Sequence, residues 1–422
     1  MSKTTAGDCC GEAGSGLLGV EEARTRMLAA VEPVGGVEQL GLRDALGRVL
    51  ADDLAAPFDV PPFPNSAMDG YAVRSADCAG RQQVELRVAG SSFAGSPCDA
   101  EVRRGQAVRI MTGALLPDGA DAVVMQERVR RDGERIGFDA AGVEAGLNVR
   151  YPGEDLKAGE TVLRRGRRLS AADLGLLASL GLGEVRVRRR LRVAFFSTGD
   201  ELRSVGQPLQ RGQIYDSNRY ILHGLLTQAG VEPLDMGVIA DDRQAVRDAF
   251  AQAAAMADAI LTSGGVSVGE ADFVKETLDE MGRVDFWKIA IKPGKPLAFG
   301  TVDGAVFFGL PGNPVSVMAT FYQFARPALM KMAGADAAEP LVVRVRCADT
   351  LRKAPGRMEF QRGRLARDDN GEWVVHSTGL QGSHVLSSMS RADCFILLPA
   401  ESSGVEAGEQ VEVQPFSTLT NT

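Results

Sequence analysis

The sequence predicts a multidomain chain of α/β and β type, built around a central, doubly wound α/β domain. Its 422 residues suffice for about three domains of ordinary size. From Leu191 onward, short apolar runs, glycine turns and helical segments alternate, which is typical of a mostly parallel sheet with helices on both faces. Elsewhere, short β-prone runs are separated by glycine, proline and aspartate, as in small β domains.

Changes in composition along the chain predict the domain boundaries. Between Gly153 and Gly183 the chain recovers helical periodicity, in residues 171–180, so the β-rich region before it is predicted to be an insertion. The expected parts are a flexible head at 1–16 with Cys9 and Cys10, a helical or mixed N-terminal domain at 17–56 and 149–187, an inserted β-rich domain at 57–148, the α/β domain at 188–335 and a C-terminal small β-barrel domain at 340–417.

Composition and charge exclude several classes of protein. Hydrophobic residues make up 45% and charged residues 24% of the chain, as in soluble globular proteins. The net charge of −8 argues against a general nucleic-acid binder, which needs a basic field to neutralise phosphates. No apolar run approaches the roughly 18 residues of a membrane span, and the six cysteines lack CxxC spacing. We therefore expect a cytoplasmic protein that contacts neither nucleic acid nor membrane.

The first part of the chain predicts helices, then strands, then a helix. Helical spacing predicts one helix near residues 20–31 and a second near 42–50. In the inserted region, strands are predicted at 84–88, 107–111 and 122–125. A helix is expected at 171–180.

The α/β region predicts an ordered series of strands and helices. Strands are expected at 193–196, 234–239, 259–262, 284–291 and 306–310, and helices at 217–229, 241–257, 273–281 and after Asn313. Beyond residue 340, period-2 alternation and a turn at 369–371 predict the β-barrel. Because ligands of parallel sheets bind outside the carboxyl ends of strands, the turns after these strands are the candidate site.

Acidic residues follow three of the predicted strands. Asp200 and Glu201 end the first, Asp241 and Asp242 follow the second, and Asp272 lies after the third. Each carboxylate could simply cap a turn or helix, which is the commoner role of a lone aspartate there. Because several converge on one sheet edge, the alternative is a site for a hard cation such as Mg²⁺, which takes carboxylate and phosphate oxygens together.

Two further turns favour binding of an anion. Ser263, Gly264 and Gly265 form either a tight turn or, as we favour, a loop whose backbone amides surround a phosphate. In the run LPGNPVS at 310–316, Asn313 can cap a helix and Pro314 suits its first position. The start of that helix would offer free N–H groups to an anion.

A lysine-rich run at 286–296 is more specific. On one strand, Lys288 and Lys292 would share a face, and the apolar residues between them the other. Lysine is rarely buried unpaired, so both side chains need an anion or a carboxylate. Lys295 and Pro296 follow in a stiff Pro-Gly-Lys-Pro turn. The alternative is an exposed edge strand, which we disfavour.

A second polar group lies in the first half of the chain. Asp69 stands among prolines and precedes Gly70, and Thr112 and Asp155 lie in glycine-containing turns. Asp69 alone could be an ordinary turn residue. The sequence alone leaves open whether this group meets the lysines and carboxylates of the α/β domain.

These segments together resemble the molybdopterin molybdenumtransferase family, which includes bacterial MoeA and the E domain of gephyrin. The likeness covers residues 17–416, in the family's order and spacing. Its motifs are PPFPNSAMDGYAV at 61–73, IMTGA at 110–114, GED at 153–155, FSTGDEL at 196–202, SGGVSVGEAD at 263–272, KPGKP at 292–296 and LPGNPVS at 310–316. Each short motif is weak alone, but the full set is specific.

The resemblance implies a four-domain, L-shaped homodimer that inserts molybdate into adenylylated molybdopterin and releases AMP, with Mg²⁺. By this likeness, the residues expected around Mg²⁺ are Glu201, Asp241, Asp242 and Asp272. The residues expected to hold the AMP phosphate are Ser263, Gly264 and Gly265, with Lys288 screening the pyrophosphate. The residues expected around molybdate and the rest of the substrate are Lys292, Lys295, Pro296, Pro311, Asn313, Pro314, Ser316, Arg357 and Ser388.

The resemblance also implies that Asp69, Thr112 and Asp155 complete the site from the partner subunit, at the dimer interface. Contacts with molybdopterin adenylyltransferase and with molybdoenzymes are further expected partners. Two rival functions are a non-catalytic scaffold of the gephyrin type and molybdopterin adenylyltransferase itself. A scaffold would not need the acidic, lysine and glycine groups together, and the adenylyltransferase would not need the flanking domains.

Overall fold

The computed structural model describes residues 17–264, 273–336 and 339–416. These residues form two compact units, one of residues 17–51, 166–174 and 184–416 with the gaps just given, the other of residues 52–165 and 175–183. The predicted head, Gly265 and Asp272 lie outside the described residues.

The chain begins with helix α1 (Val20–Ala30), which buries Ala23 and Met27, and continues into strand β1 (Val37–Gly41). The helix predicted near residues 42–50 is wrong. A single 3₁₀ turn is followed by extended chain, in which Leu50 forms a bridge with Val187. Gly47 has a φ of +72°, a conformation that a right-handed helix excludes.

The unit of residues 52–165 and 175–183 is rich in strands, in agreement with the β-rich fold predicted for residues 57–148. Its elements are β2 (Leu54–Ala55), β3 (Asn65–Ser66), β4 (Gly70–Val73), the short helix α2 (Ser75–Cys78), β5 (Gln83–Ser92), β6 (Gln106–Ile110), β7 (Ala122–Met125), β8 (Val129–Asp132), β9 (Arg135–Asp139), β10 (Val149–Arg150) and β11 (Thr161–Leu163). The main sheet has the order β7-β4-β6-β5-β9-β8. Apolar clusters cover both of its faces.

The other unit contains the central sheet. Its elements to residue 332 are α3 (Ala171–Ser179, whose residues from Gly175 on belong to the strand-rich unit), β12 (Glu184–Arg188), β13 (Arg192–Thr198), β14 (Leu202–Arg203), β15 (Ile214–Tyr215), α4 (Asn218–Ala229), β16 (Glu232–Ile239), α5 (Arg243–Met256), β17 (Ala259–Ser263), α6 (Phe273–Met281), β18 (Gly282–Lys288), β19 (Ile291–Lys292), β20 (Pro296–Val302), β21 (Ala305–Leu310), α7 (Pro314–Thr320) and α8 (Arg326–Met332). A π-helical turn at Phe321–Ala325 joins α7 to α8, so the long helix expected after Asn313 is present. Strand β12 pairs with β1.

The central sheet has the strand order β16-β13-β17-β21-β20-β18. The first four strands are parallel, whereas β20 and β18 run antiparallel to their neighbours. Alternate residues of β13 separate the two cores: Phe195 faces α4 and α7, and Phe196 packs with Phe250 of α5. Helices therefore cover both faces, which confirms the predicted doubly wound α/β domain.

Beyond residue 342, the chain forms a small closed β-barrel. Its elements are β22 (Val343–Cys347), β23 (Leu351–Arg352), β24 (Met358–Arg367), β25 (Trp373–Ser377), α9 (Leu386–Ser390), β26 (Cys394–Leu398), β27 (Gly404–Val405) and β28 (Gln410–Pro415). The order β24-β25-β22-β28-β26 closes because β26 pairs again with β24. The predicted barrel is confirmed. In the part of the chain that the structure describes, no helix is long and apolar enough to cross a membrane.

Candidate active site at the edge of the central sheet

Strand direction gathers most of the predicted site residues at one edge of the central sheet. The parallel strands β13, β16, β17 and β21 all end there. Because β20 is antiparallel to β21, it begins at this edge, and β18 ends at it, with Lys288 opposite Pro296. The turns that carry Glu201, Asp241 and Gly264 therefore share an edge with both lysine-bearing segments.

The acidic residues at this edge differ in the hydrogen bonds that they make. Asp242 caps α5, since its Oδ1 accepts hydrogen bonds from the backbone N–H groups of Gln244 and Ala245 at 3.0 and 2.9 Å. The capping alternative is therefore what the structure shows for Asp242. The backbone N–H of Asp241 donates to Asp200 Oδ1 at 3.3 Å and so connects the turns after β16 and β13.

Glu201 lies directly over Gly199. That glycine has a φ of +143°, and a Cβ on it would overlap the carboxylate of Glu201. Only glycine therefore lets the carboxylate of Glu201 fold back over the end of β13. The sequence singled out Glu201, and the structure supplies the reason for the neighbouring glycine.

The donor set at this edge consists of carboxylate oxygens. Among residues 17–264, 273–336 and 339–416, no three side chains of His, Cys, Asp or Glu come together as a metal site. Mg²⁺ in enzymes usually keeps several waters and binds one or two carboxylates together with substrate phosphates. The described carboxylates fit that mode of binding, and they do not form a closed protein cage.

Two glycine turns meet at the edge with no side chain between them. The N–H of Gly264 donates to the carbonyl of Leu310 at 3.1 Å. A Cβ on Gly264 would lie 3.2 Å from the carbonyl oxygen of Thr198, and one on Gly312 would lie 3.9 Å from the Cα of Gly264. The turns after β17 and β21 thus present backbone, which a phosphate can approach closely.

Ser263 does not face this opening. Its side chain is buried, and its Oγ forms a hydrogen bond of 2.8 Å with Oγ of Ser197 on the neighbouring strand. In this structure the Ser263 hydroxyl joins two strands of the sheet, and its expected phosphate contact stays a prediction.

The prediction that Lys288 and Lys292 lie on the same face of one strand is wrong. Lys288 ends β18, which is an exposed edge strand of the central sheet, and Lys292 belongs to β19, which pairs with β24 of the barrel. The chain leaves one sheet and enters the other between them. The edge-strand alternative is therefore correct for Lys288.

Lys292 has the carboxylate partner that the sequence required but did not identify. Its Nζ donates to Glu359 Oε1 at 2.8 Å, and Nε2 of Gln361 donates to the other oxygen at 3.0 Å. Side-chain exposure is 47% for Lys292 and 5% for Glu359. The pair therefore puts an ammonium group with a free side toward solvent at the start of the KPGKP turn. Lys295 in that turn is exposed, and Pro296 is half-buried.

Ser388, one of the two barrel residues expected near molybdate, contacts a buried arginine. Arg362 is 1% exposed, and its Nε donates to Ser388 Oγ at 3.0 Å, while Ser388 donates to the carbonyl of Val385 at 2.6 Å. Burial lowers the pKa of Arg362 to about 10. The hydroxyl of Ser388 thus holds Arg362, and its contact with substrate stays a prediction. Arg357 is half-buried.

The start of α7 differs in detail from the prediction. Pro314 occupies its first turn as expected, but the side chain of Asn313 makes no capping bond. The N–H of Val315 donates to the carbonyl of Ser383 at 3.2 Å, so this amide is not free for an anion. Ser316 is buried at 3% exposure, and Pro311 is buried beside Gly312.

Sequence reasoning missed two residues beside this edge, Asp216 and Asn218. Nδ2 of Asn218 donates to the carbonyl of Gly312 at 2.6 Å, which ties α4 to the turn after β21. Both side chains are buried, and Asp216 Oδ2 and Asn218 Oδ1 have no hydrogen-bond partner within the described chain. The run Tyr-Asp-Ser-Asn before a helix was the available signal. It reads equally well as an ordinary helix cap.

The second polar group lies in the other unit and is described by itself. Asp69 Oδ1 accepts hydrogen bonds from the N–H and the Oγ1 of Thr112, at 2.8 and 2.7 Å. These two donors hold the pKa of the Asp69 carboxyl below its ordinary value. Asp155 is exposed in a separate loop, where its N–H donates to the carbonyl of Val60 at 2.9 Å. The structure thus joins Asp69 to Thr112 directly.

Comparison with known proteins covers the chain almost from end to end. Three family models match in succession: the MoeA N-terminal region (domain I and II) at 18–181, a probable molybdopterin binding domain at 194–331, and the MoeA C-terminal region (domain IV) at 344–416. The molybdopterin molybdenumtransferase of Haemophilus influenzae is 46% identical over 96% of this chain and 100% of its own. That of a Nostoc species is 38% identical over 89% of this chain and 88% of its own.

A solved structure shares the fold as well. The crystal structure of the molybdopterin biosynthesis MoeA protein from Pyrococcus horikoshii matches this chain with a TM-score of 0.83 and 32% identity. The match covers 95% of this chain and 100% of that one.

Proposed function

The chain belongs to the molybdopterin molybdenumtransferase family and acts as a transferase in molybdenum cofactor biosynthesis, and from this premise we propose how its sheet edge serves the reaction. The proposed reaction is insertion of molybdate into adenylylated molybdopterin, with release of AMP. The observation that carries it is the convergence of backbone-only glycine turns, carboxylates and lysines at one edge. Both proposed substrates are anions, and the metal is an oxyanion until it is inserted.

The phosphate end of the substrate is proposed to lie on the turns of Gly264 and Gly312. No side chain stands between these two turns, so a phosphate can approach their backbone closely. The N–H of Gly264 itself is already donated to the carbonyl of Leu310. Lys288, at the end of the exposed edge strand, supplies a positive charge for the pyrophosphate. Gly265 extends the same loop in sequence, and its role stays a prediction because it lies outside the described residues.

Mg²⁺ is proposed to bind between the substrate phosphates and the carboxylates of Glu201 and Asp241. When bound, the ion would neutralise the charge that develops on the phosphate oxygens as AMP leaves. Asp200 fixes the backbone of Asp241, and Asp242 has one oxygen committed to its helix cap. Asp272 is a further predicted ligand outside the described residues.

Molybdate is proposed to bind at the KPGKP turn, where the barrel meets this region. Lys292 is oriented by Glu359 and leaves part of its ammonium toward solvent. Lys295 and Arg357 are the other cations expected to contact the oxyanion, and cations at this point would favour a tetrahedral dianion over a neutral molecule. The remaining predicted contacts there are Pro296, Pro311, Asn313, Pro314, Ser316 and Ser388.

We further propose a homodimer in which Asp69, Thr112 and Asp155 of one subunit complete the site of the other. Asp69 stays ionised because Thr112 donates two hydrogen bonds to it. A fixed carboxylate of this kind could orient the N–H groups of the pterin. The cytoplasm is the proposed location, and molybdopterin adenylyltransferase and molybdoenzymes are the proposed partners that deliver substrate and receive product.

The test is an assay of AMP release by the full chain from adenylylated molybdopterin, with and without molybdate and Mg²⁺. We expect AMP release that requires all three components and yields metal bound to the dithiolene. Glu201→Ala should lower turnover by about a hundredfold, the usual effect of removing one group that stabilises a transition state. The exposed Glu134→Ala, in the other unit, is the matched control and should leave turnover unchanged.

AMP release that proceeds without molybdate at the full rate would contradict the coupled reaction. A chain that consumes ATP and metal-free molybdopterin would instead be an adenylyltransferase. No AMP release under any condition would leave only the scaffold function.

A further inference from the structure

The barrel carries a second polar cavity that the proposed reaction does not use. It has a volume of about 630 Å³, and its lining residues are Arg364, Ala366, His376, Ser377, Thr378 and Arg391. We call it the barrel groove. A cavity of this size matches those that hold small metabolites, which measure about 300 to 1,000 Å³.

The barrel groove is lined by cations and hydroxyls and contains no carboxylate. Arg364 of β24 is exposed and stands directly opposite His376 of β25 in the strand register. Within the described residues, the guanidinium of Arg364 forms no hydrogen bond or ion pair. Arg391 approaches from the end of α9, where its Nη2 donates to the carbonyl of Thr378 at 3.2 Å. That bond fixes the second guanidinium and leaves its other N–H groups free.

The hydroxyl of Ser377 is prepared to donate. Its Oγ accepts hydrogen bonds from the N–H of Gly379 at 3.2 Å and from Nε2 of Gln381 at 3.0 Å. Since both acceptor positions are occupied, the hydroxyl hydrogen is available to a ligand. His376 precedes Ser377 on the strand. Its Nδ1 lies 3.9 Å from Asp349 Oδ2, and half of its side chain is exposed. The lining side chains therefore present donors to the groove, while the Asp349 carboxylate beside them also accepts a hydrogen bond of 2.7 Å from the backbone N–H of Ser377.

The barrel groove is separate from the proposed molybdate site. Both lie along β24, but Glu359, the partner of Lys292, is five residues from Arg364. At about 3.3 Å per strand residue, this places them about 16 Å apart. A ligand in the barrel groove would therefore contact neither Lys292 nor Glu359.

We propose that the barrel groove binds the phosphate group of a small molecule, with Arg364 and Arg391 on two sides and Ser377 donating to it. Guanidinium groups match the oxygens of a phosphate bidentately, which makes paired arginines the usual receptors for that group. Inorganic phosphate and a nucleoside monophosphate such as AMP share this chemistry.

The experiment follows the histidine resonances of the full chain by NMR, with ¹³C at the Cε1 position. The sequence has only three histidines, and His376→Gln identifies the signal of the groove. The chain is titrated with sodium phosphate, and separately with AMP, at constant ionic strength against sodium chloride. We expect a saturable shift of the His376 signal with phosphate, with AMP or with both, and no shift with chloride.

The double variant R364A/R391A should weaken this binding at least about tenfold, because two charge-assisted contacts are lost. R344A/R352A removes the same number of charges from the same barrel, outside the groove, and should bind as the unchanged protein does. If the double variant does not fold, the phosphate titration is made with R364A alone. Molybdate-dependent AMP release should be unaltered in R364A/R391A, so this test is independent of the proposed reaction.

Two outcomes would overturn the proposal. One is a His376 signal that responds equally to chloride and phosphate, as solvated arginines would produce. The other is binding that R344A/R352A weakens as much as R364A/R391A does. Tighter binding of AMP than of phosphate would identify a nucleotide as the ligand, and equal binding would identify the inorganic ion.

Discussion

At the scale of single residues, the Glu359 carboxylate is a buried charge that depends on its donors. It is 5% exposed and is held by Lys292 and Gln361. A buried charge that loses its partner costs far more than a solvated one. Lys292 therefore neutralises Glu359, and we propose that it has a second task, to present positive charge to molybdate.

Replacing Lys292 by Met should separate these tasks. We expect Lys292→Met to destabilise its unit by about 1–3 kcal/mol, because Glu359 keeps only Gln361 as a donor, and to lower AMP release. The double variant Lys292→Met/Glu359→Gln removes the buried charge as well. It should recover most of the melting temperature in calorimetry but none of the activity.

If the double variant melts no higher than Lys292→Met, the lysine stabilises the barrel by packing and not by charge. If activity also returns, the ammonium group is not needed at the site.

The Asp69 and Thr112 pair gives a prediction on pH. Thr112 lowers the pKa of Asp69 by donating from its N–H and its Oγ1. A depressed folded pKa stabilises the fold above the unfolded pKa, and this stabilisation is lost as the pH falls through the folded value. Thr112→Val removes only the hydroxyl donor, so the pKa of Asp69 should rise toward its ordinary value. Carboxyl ¹³C NMR during an acid titration measures this.

Thr227→Val, on an exposed face of α4, is the matched control and should leave the Asp69 titration unchanged. An Asp69 pKa that does not move in Thr112→Val would show that the backbone N–H alone sets it.

The sequence predicted which types of residue form the site, but it did not predict which residues they contact. The lysine run indicated that a counter-charge must exist, because buried lysine is rarely unpaired. That the counter-charge is Glu359, 67 residues away, depends on strand pairing between two sheets, which local sequence does not encode. Asp216 and Asn218 escaped notice because a short polar run before a helix is the ordinary pattern of a cap.

At the scale of elements, α4 and the turn after β21 are joined by one side chain. Asn218 Nδ2 donates to the carbonyl of Gly312 at 2.6 Å and holds the turn that the proposal assigns to phosphate. We expect Asn218→Ala to cost about 0.5–1.5 kcal/mol, the usual contribution of one intramolecular hydrogen bond, since the carbonyl of the exposed Gly312 loses its donor. It should also raise KM for the adenylylated substrate more than it changes kcat, because the turn positions the phosphate.

Enzyme kinetics and calorimetry of Asn218→Ala measure both effects. Asn370→Ala, in an exposed barrel turn, is the control. Loss of stability with no change in KM would make Asn218 a purely structural residue.

Sequence patterns identified the strands and helices whose formation depends on neighbouring residues along the chain. The strands and helices of the central sheet were predicted within a few residues, because apolar runs, glycine turns and helical spacing succeed one another there. Strand β20 was missed because it begins at Pro296, in a run that the lysines and prolines had marked as a turn. The false helix near 42–50 arose because its apolar spacing is short and its bridges to Arg168 and Val187 are long-range.

At the scale of the whole molecule, the central sheet and the barrel belong to one compact unit, and the strand-rich region forms the other. The motifs identified the family from sequence, and the family matches confirm it along the chain. Sequence could not establish that Asp69 and Thr112 serve the site of a second subunit, because motif order along one chain carries no information on which copies meet. We propose the shared site from the family resemblance.

Mixing two inactive variants tests the shared site. Glu201→Ala disables the sheet edge and Asp69→Ala disables the strand-rich unit. If each site takes residues from both copies, each mixed dimer contains one site with both groups intact. After complete exchange of equal amounts of the two variants, about half of all dimers should be mixed. We expect activity to return on mixing, as measured by AMP release, to roughly a quarter of the normal value per chain. Failure to recover activity, with exchange shown by native mass spectrometry, would place both residues in one subunit's site.

The most direct test of the central claim is a crystal structure of the full chain with AMP and molybdate bound. The account predicts the AMP phosphate against the backbone of Gly264 and Gly312, and molybdate beside Lys292 and Lys295. Density for both anions away from the edge where β13, β16, β17 and β21 end would contradict it.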